Sequence, residues 1–348
     1  MNNNDTTGFL GWDIGGAHLK VAYCDNSGQI TQVIQLPCAL WRGINELRTA
    51  MQQALTLLNC RHAQHAITMT GELVDAFENR EQGVTKILNC VADILPEAVL
   101  HIFAGQRGWL KPQQAKQEWR HVASMNWQAS ALFVATQCSQ GLFLDIGSTT
   151  CDIIPFINGQ IQPHGLDDHN RQKSGELVYT GAIRTPLFAI SHHAPLNGQL
   201  VPLTAEWFAS SGDVWCILEQ VSATEIQDSS ADGQPWQNRH CQQRLARMLA
   251  TDAEEATDAQ WRIVADWFAE QQLQQITQAC LQVLSRHSAI NNDAPLIGAG
   301  VGRFIIKAIA ERLNRPYVDF SVLCQHRDDA AAHAPATALA LLAQQQLS

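Results

Sequence analysis

Several things this chain lacks narrow what it can be. No stretch reaches the ~18 consecutive apolar residues of a membrane span, although 46% of its 348 residues are hydrophobic. The opening MNNNDTTGF has no basic n-region and no apolar h-region, so no signal peptide is expected. Basic side chains are outnumbered, 23 Lys and Arg against 33 Asp and Glu, for a net charge of −10. That balance argues against a nucleic-acid surface, which is normally basic. The ten cysteines include no C-x-x-C pair, and a disulfide framework is not expected in a long, unsigned chain. Cys24, Cys90, Cys151, Cys216 and Cys280 sit inside apolar segments and read as small buried hydrophobes. No H-E-x-x-H zinc motif and no Walker A loop occur. What remains is a cytoplasmic protein of about two domains, with no membrane or nucleic-acid partner and an oligomeric state that composition does not address.

What is present is a pattern of hairpins and amphipathic stretches. Residues 8–25 predict a β-hairpin, FLGWDI and HLKVAYC around GGA, followed by a strand at ITQVIQL (30–36). INELRTAMQQALTLLN (44–59) places Leu47, Met51, Leu55 and Leu58 on one helical face. A strand is expected at 66–69, a helix from Val84 to Leu95, a strand at 98–104 and a buried helix at 124–138. GLFLDIGSTTCDIIPFINGQIQP (141–163) then repeats the opening, with Asp145 in the same Asp-Ile-Gly-small context as Asp13. Two such units suggest a duplicated architecture. Further on come a loop at 166–186, helices near 211–220 and 237–250, and a long helix from about Asp258 to His287. The chain closes with a strand at 295–300, a helix at 301–314, a strand at 316–320 and a helix at 331–346.

Three glycine-bearing segments carry candidate chemistry. At a hairpin tip, the backbone N–H groups around Gly15 and Gly16 can converge on an anion, Asp13 can hold Mg²⁺ and Lys20 can add positive charge. An ordinary glycine turn explains the same residues. Asp145-Ile-Gly147-Ser148-Thr149-Thr150 adds three hydroxyls, more phosphate-ligand capacity than a turn requires, though Thr and Ile also suit strands. Gly298, Gly300 and Gly302 lead into a helix N-terminus, where backbone N–H groups favour anions. An acidic chain that holds a polyphosphate needs a divalent cation between the two, which points to Mg²⁺ near Asp13 and Asp145.

In order and spacing the three segments resemble the acetate and sugar kinase, heat-shock protein and actin superfamily. That resemblance implies an α/β fold of two ribonuclease-H-like domains around a cleft, residues 1–140 and 141–330, with the closing helix (331–348) returning to the first domain. MTGELVDAFENREQGV (69–84), LDIGSTTCDIIP (144–155), SGELVYTGAIRTP (174–186), ARMLATD (246–252) and IGAGVGRF (297–304) narrow it further. Together they resemble the hydantoinase/oxoprolinase-related proteins of tetrahydromethanopterin-linked one-carbon transfer, from the first hairpin to the closing APATALALL helix.

This closer resemblance implies a transferase of methanofuran or methylofuran biosynthesis. Such an enzyme joins an aminomethylfuran-methyl diphosphate to a phenol, glutamyl-tyramine or tyrosine-type, as an ether, and releases diphosphate. Glu72, Asp152 and Glu176 are the candidates for the base that takes the phenol proton. For Glu72 a helix-start carboxylate is the alternative, for Asp152 a bond to its own turn, and for Glu176 the orientation of a substrate amine. Arg171 and Arg184 flank SGELVYTG (174–181), the signature segment, and suit a carboxylate or phosphate, or a surface ion pair. Asn126 and Trp127 read as part of a buried helix, the Trp as core packing. Two other functions fit the same fold: an ATP-dependent small-molecule kinase or oxoprolinase-like ATPase, and a non-enzymatic nucleotide switch.

Overall fold

The computed structural model describes residues 8–60, 62–96, 98–223 and 226–348. The segment MNNNDTT, read above for a signal peptide, lies outside them. The chain runs through β1 (Phe9–Ile14), β2 (His18–Cys24), β3 (Ile30–Pro37), α1 (Ile44–Leu58), β4 (Gln64–Met69), α2 (Arg80–Ile94), β5 (Leu100–Phe103), β6 (Trp109–Leu110), α3 (Pro112–Gln117) and α4 (Asn126–Gln137). It continues through β7 (Gln140–Ile146), β8 (Cys151–Ile157), β9 (Gln160–Ile161), α5 (Asp168–Ser174), β10 (Leu177–Val178), β11 (His193–Leu196), β12 (Gln199–Pro202), α6 (Ser211–Ile217), α7 (Asn238–Met248) and α8 (Asp258–Arg286). The last elements are β13 (Leu296–Ala299), α9 (Arg303–Arg312), β14 (Tyr317–Asp319), α10 (Phe320–Leu323), α11 (Asp328–Ala332) and α12 (Ala334–Leu347).

Two compact units share this chain. Unit 1 takes Met1–Gln140, Phe156–Ile161 and Asp319–Ser348; unit 2 takes Gly141–Pro155 and Gln162–Val318. The sheet of unit 1 has the order β3-β2-β1-β4-β5-β6. β1 pairs antiparallel with β2 and parallel with β4. All six residues of β1 are buried, the mark of a strand covered on both faces. Its even-numbered residues, Leu10, Trp12 and Ile14, join a core built with Leu47 and Met51 of α1 and with Val84, Ile87 and Val91 of α2. The other face meets α12. A Cβ at Gly11 would lie 2.2 Å from the Ala336 carbonyl oxygen, so only glycine admits the helix at this distance. The alanine-rich composition of α12, buried from Ala334 to Ala343, suits that close approach.

The second sheet follows a similar plan, β10-β8-β7-β13-β14; the end of β8 and its partner β9, Phe156–Ile161, count with unit 1 and the rest of β8 with unit 2. β7 runs parallel to β13, as β1 does to β4. Between β9 and β13 the chain carries four α-helices, α5 to α8. α8, 29 residues and about 43 Å long at the usual rise, starts at a capping box between Thr257 and Gln260. Among the described residues, no helix is long and apolar enough to cross a membrane.

Three details differ from the sequence reading. α2 begins at Arg80, a turn before Val84, because the Asn79 side chain accepts from Gln82 N and caps it there. The segment 166–186 is not all loop. Asp167 caps α5 and Gly175, at φ 78°, ends it. The hairpin β11–β12 was not expected, although its Asn197-Gly198 turn, both at positive φ, is a strong short-range hairpin signal.

Candidate active site

In unit 1, Asp13 is the last but one residue of β1 and is buried. The antiparallel register sets Lys20 directly opposite, and its Nζ lies 3.6 Å from Asp13 Oδ2. Lys20 therefore turns to the carboxylate instead of facing away from it. Asn126, the first residue of α4, donates its Nδ2 to Asp13 Oδ1 at 3.4 Å. The hairpin tip is closed by Gly15 N donating to His18 O at 3.0 Å, and the next turn is pinned by Thr70 N donating to Ile14 O. That turn carries Glu72, which is buried and accepts from Ser124 Oγ at 2.7 Å. Asp13, Lys20, Glu72 and the segment 124–126 thus share one end of the first sheet. His333, the N-cap of α12, has its pKa pushed down to about 3 by burial and by the nearby Lys20, so its ring is neutral.

Unit 2 has a second, denser cluster. Asp145 stands at the end of β7, in register with Ala299 of β13. The glycine turn that follows β13 docks onto it. Gly302 N donates to Ile146 O at 2.9 Å, and Gly300 is in the left-handed region at φ 84°. A Cβ at Gly300 would meet Ile146 O at 2.3 Å and Asp145 Oδ1 at 2.5 Å, so the approach requires glycine. Gly147 N closes the hairpin by donating to Thr150 O, and the space on its Cβ side is open to 4.0 Å. The signature loop folds back over this tip. Ala182 N donates to Gly147 O, and both Ile183 N and Arg184 N donate to Ser148 O, the last at 2.7 Å. Arg184 is 42% exposed and its Nε lies 3.9 Å from Asp228 Oδ1. The structure therefore brings together Asp145, Gly147, Ser148, Thr149, Gly300, Gly302 and the loop bearing Arg184.

The remaining candidates form a third group around the start of β8. Arg171 is buried and donates its Nη2 to Asp152 Oδ1 at 2.8 Å and to Glu176 O at 3.0 Å. Glu176 is fully buried, with Oε1 accepting from His164 N at 2.7 Å and Oε2 from Gly165 N at 3.0 Å. These are the contacts of a loop anchor and of an ion pair between two protein groups. Cys151, between the hairpin and Asp152, is pushed well above the usual thiol range by burial and stays protonated.

Sequence reasoning passed over one residue that holds the signature loop. Gln272 of α8 donates Nε2 to Thr180 Oγ1 and to Gly181 O, both at 2.8 Å, while its Oε1 accepts from Trp215 Nε1 at 2.9 Å. A glutamine in a Gln-rich helix carries no local signal of this role. It also passed over Ser124, which holds Glu72. Its φ of 56°, rare for a non-glycine residue, marks the turn into α4.

Among the described residues, no group of three or more His, Cys, Asp or Glu is placed to hold a metal. Single hard-oxygen carboxylates at two strand ends, Asp13 and Asp145, are still the donor chemistry that suits Mg²⁺, which takes one or two protein ligands and completes its shell with phosphate and water.

The hydantoinase/oxoprolinase family model matches residues 64–346. The chain belongs to the hydantoinase/oxoprolinase family. One relative, the (4-{4-[2-(γ-L-glutamylamino)ethyl]phenoxymethyl}furan-2-yl)methanamine synthase of Methanocaldococcus jannaschii, is 28% identical over 97% of this chain and 98% of its own. The Methanococcus vannielii protein of the same name is 23% identical over 60% of this chain and 92% of its own. A nucleotide-free acetone carboxylase structure superposes with a TM-score of 0.60 at 9% identity, over 96% of this chain and 70% of that one. That likeness concerns fold alone. This family member has a mixed α/β fold in which each unit is built on a sheet of parallel and antiparallel strands with helices packed against it.

Proposed function

We propose that this chain makes an aryl furylmethyl ether. It joins the phenol of a glutamyl-tyramine or tyrosine-type acceptor to the methyl carbon of an aminomethylfuran-methyl diphosphate, serving tetrahydromethanopterin-linked one-carbon metabolism. The observation that carries this reading is the end-to-end likeness to a synthase whose product name contains a phenoxymethyl group on a furan. That linkage is an ether between a phenol oxygen and a furylmethyl carbon.

The chemistry balances as a substitution at that carbon. The carbon–oxygen bond to diphosphate breaks and its electron pair leaves with the diphosphate. The ring oxygen of the furan stabilises the positive charge left on carbon, and the phenol oxygen forms the new bond. The phenol proton, from a group with a pKa near 10, passes to a protein carboxylate. Glu72 suits that role best of the three candidates. Asp152 is engaged by Arg171 and Glu176 by two backbone amides, whereas Glu72 sits beside the Asp13 hairpin with Ser124 as its orienting partner. On unit 2 the hydroxyls of Ser148, Thr149 and Thr150, the turn from Gly298 to Gly302 and the Arg184 guanidinium take the diphosphate. On unit 1 the hairpin of Gly15 and Gly16, with Lys20, is the second anion site. Because Gly15 N and Gly147 N already close their turns, amides that follow them contact phosphate. Mg²⁺, held by Asp13 or Asp145, would neutralise the leaving group.

The test incubates purified protein and Mg²⁺ with the furan diphosphate and the phenol, and separately with ATP alone, and follows ether and diphosphate by mass spectrometry. Ether with equimolar diphosphate is expected. ATP turnover without ether formation would replace this reading with that of an ATPase or kinase.

A further inference from the structure

Helices α6, α8 and α9 line a cleft of about 390 Å³ within unit 2, inside the ~300–1,000 Å³ range of small-molecule sites. One wall is aromatic. Trp215 of α6 meets Phe304 of α9 edge to face, with ring centroids 4.9 Å apart. The indole N–H is spent on Gln272 Oε1 at 2.9 Å, so Trp215 offers the cleft its ring. Leu218, Leu273 and Ile305 add further apolar surface.

The α8 wall is charged. Arg262, Asp266 and Glu270 follow one another at intervals of four residues and share a helix face. Arg312 already holds Glu270, its Nη1 donating to Oε1 at 2.9 Å. Arg262 and Asp266 are exposed, and neither has a hydrogen bond or ion pair with another described residue. A free cation and a free anion thus stand one turn apart, about 6 Å along the helix, beside an aromatic wall. The complement is a molecule with a flat ring and, away from it, a carboxylate and an ammonium close together.

We propose that this cleft is the acceptor subsite of the ether-forming reaction, an inference that rests on the function proposed above. The acceptors of that reading, glutamyl-tyramine or a tyrosine-type phenol, carry a phenol ring and an α-amino-acid group. The ring lies against Trp215 and Phe304. The carboxylate pairs with Arg262 and the ammonium with Asp266. The aromatic wall adjoins the turn assigned to diphosphate, since Gly302 is the N-cap of α9 and Phe304 is in its first turn. It is also tied to the signature loop, because Gln272, which holds Trp215, donates to Thr180 Oγ1 and Gly181 O. Arg262 and Asp266 are therefore specificity residues. They touch the amino-acid end of the acceptor and not the reacting oxygen.

Calorimetric titration of the full chain tests this with four phenols: γ-glutamyl-tyramine, L-tyrosine, tyramine, which has no carboxylate, and 3-(4-hydroxyphenyl)propionate, which has no ammonium. One of the first two is expected to bind best. Arg262→Gln should weaken it about threefold to tenfold and leave tyramine unchanged. Asp266→Asn should weaken it similarly and leave the propionate unchanged. Equal effects on all four phenols, no effect on any, or an effect on ATP binding in their place overturns the proposal. A second measurement needs no variant. Photolysis of the unsubstituted protein with 4-azido-L-phenylalanine should label the peptide bearing Trp215 or that bearing Phe304, and labelling confined to other peptides overturns the proposal. The two readings fail separately. Selective variants without any ether product would remove the reaction and keep the cleft, whereas ether formation with unselective variants would remove the cleft alone.

Discussion

Asp145 closes a central strand with a carboxylate that is only 8% exposed and abuts the Gly300 turn. Asp145→Asn keeps volume and removes charge. Turnover to ether is expected to fall by roughly 10²-fold or more, the scale of losing one preorganised charge-stabilising group, with the thermal midpoint little changed. A near-normal rate would assign Asp145 to structure alone. A second residue sets a pH limit on stability. His65 stacks on Trp12 and accepts from Trp12 Nε1 at 3.0 Å, and burial depresses its pKa from 6.5 to about 4. Above pH ~6.5 the ring is neutral in both states and adds no slope. Between ~6.5 and 4 the unfolded chain binds a proton that the folded chain refuses, so stability falls as the pH is lowered. The loss should reach up to ~3 kcal/mol by pH 4. Urea titrations across that window should show it, and His65→Gln, which retains an acceptor for the indole, should flatten it.

Among the elements, the 164–186 segment shows how one carboxylate can organise a loop. Glu176 accepts from two backbone amides, and Arg171 donates to both Asp152 and the Glu176 carbonyl. Glu176→Gln puts an NH₂ against one of those amides and should cost about 1–3 kcal/mol in chemical denaturation. If Glu176 were the catalytic base, the same variant would lose turnover with its stability unchanged. The glycine turns at Gly15 and Gly147 were legible because hairpin turns are local patterns, whereas the Asp167 and Gly175 caps of this segment were passed over. Lys20 was less so, since its contact with Asp13 depends on strand register. Gln272 was not legible, because nothing near it in the chain shows that α8 will carry it to Thr180 and Gly181.

At the scale of the whole molecule, the chain leaves unit 1, builds unit 2 and returns. Asp319–Ser348 completes unit 1, and α12 covers the face of β1 that carries Gly11. A chain ending at Val318 would leave that face of a fully buried strand open to water. It is expected to lose cooperative unfolding of unit 1, to bind a hydrophobic dye and to aggregate. A truncated protein that stays soluble, with native hydrogen-exchange protection in β1, would show that α12 is dispensable.

The linear order of residues by itself determined the hairpins with their glycine turns, the amphipathic helices and the family, because these rest on contacts within a few residues and on motifs that fold locally. Tertiary structure alone decided that Asn126 reaches Asp13 across 113 residues, that Gln272 reaches Thr180 across 92, and that Arg171 is spent on Asp152. Such pairings follow from how helices pack onto sheets. Packing balances the burial of many side chains at once, so a partner's identity is absent from the sequence around either member.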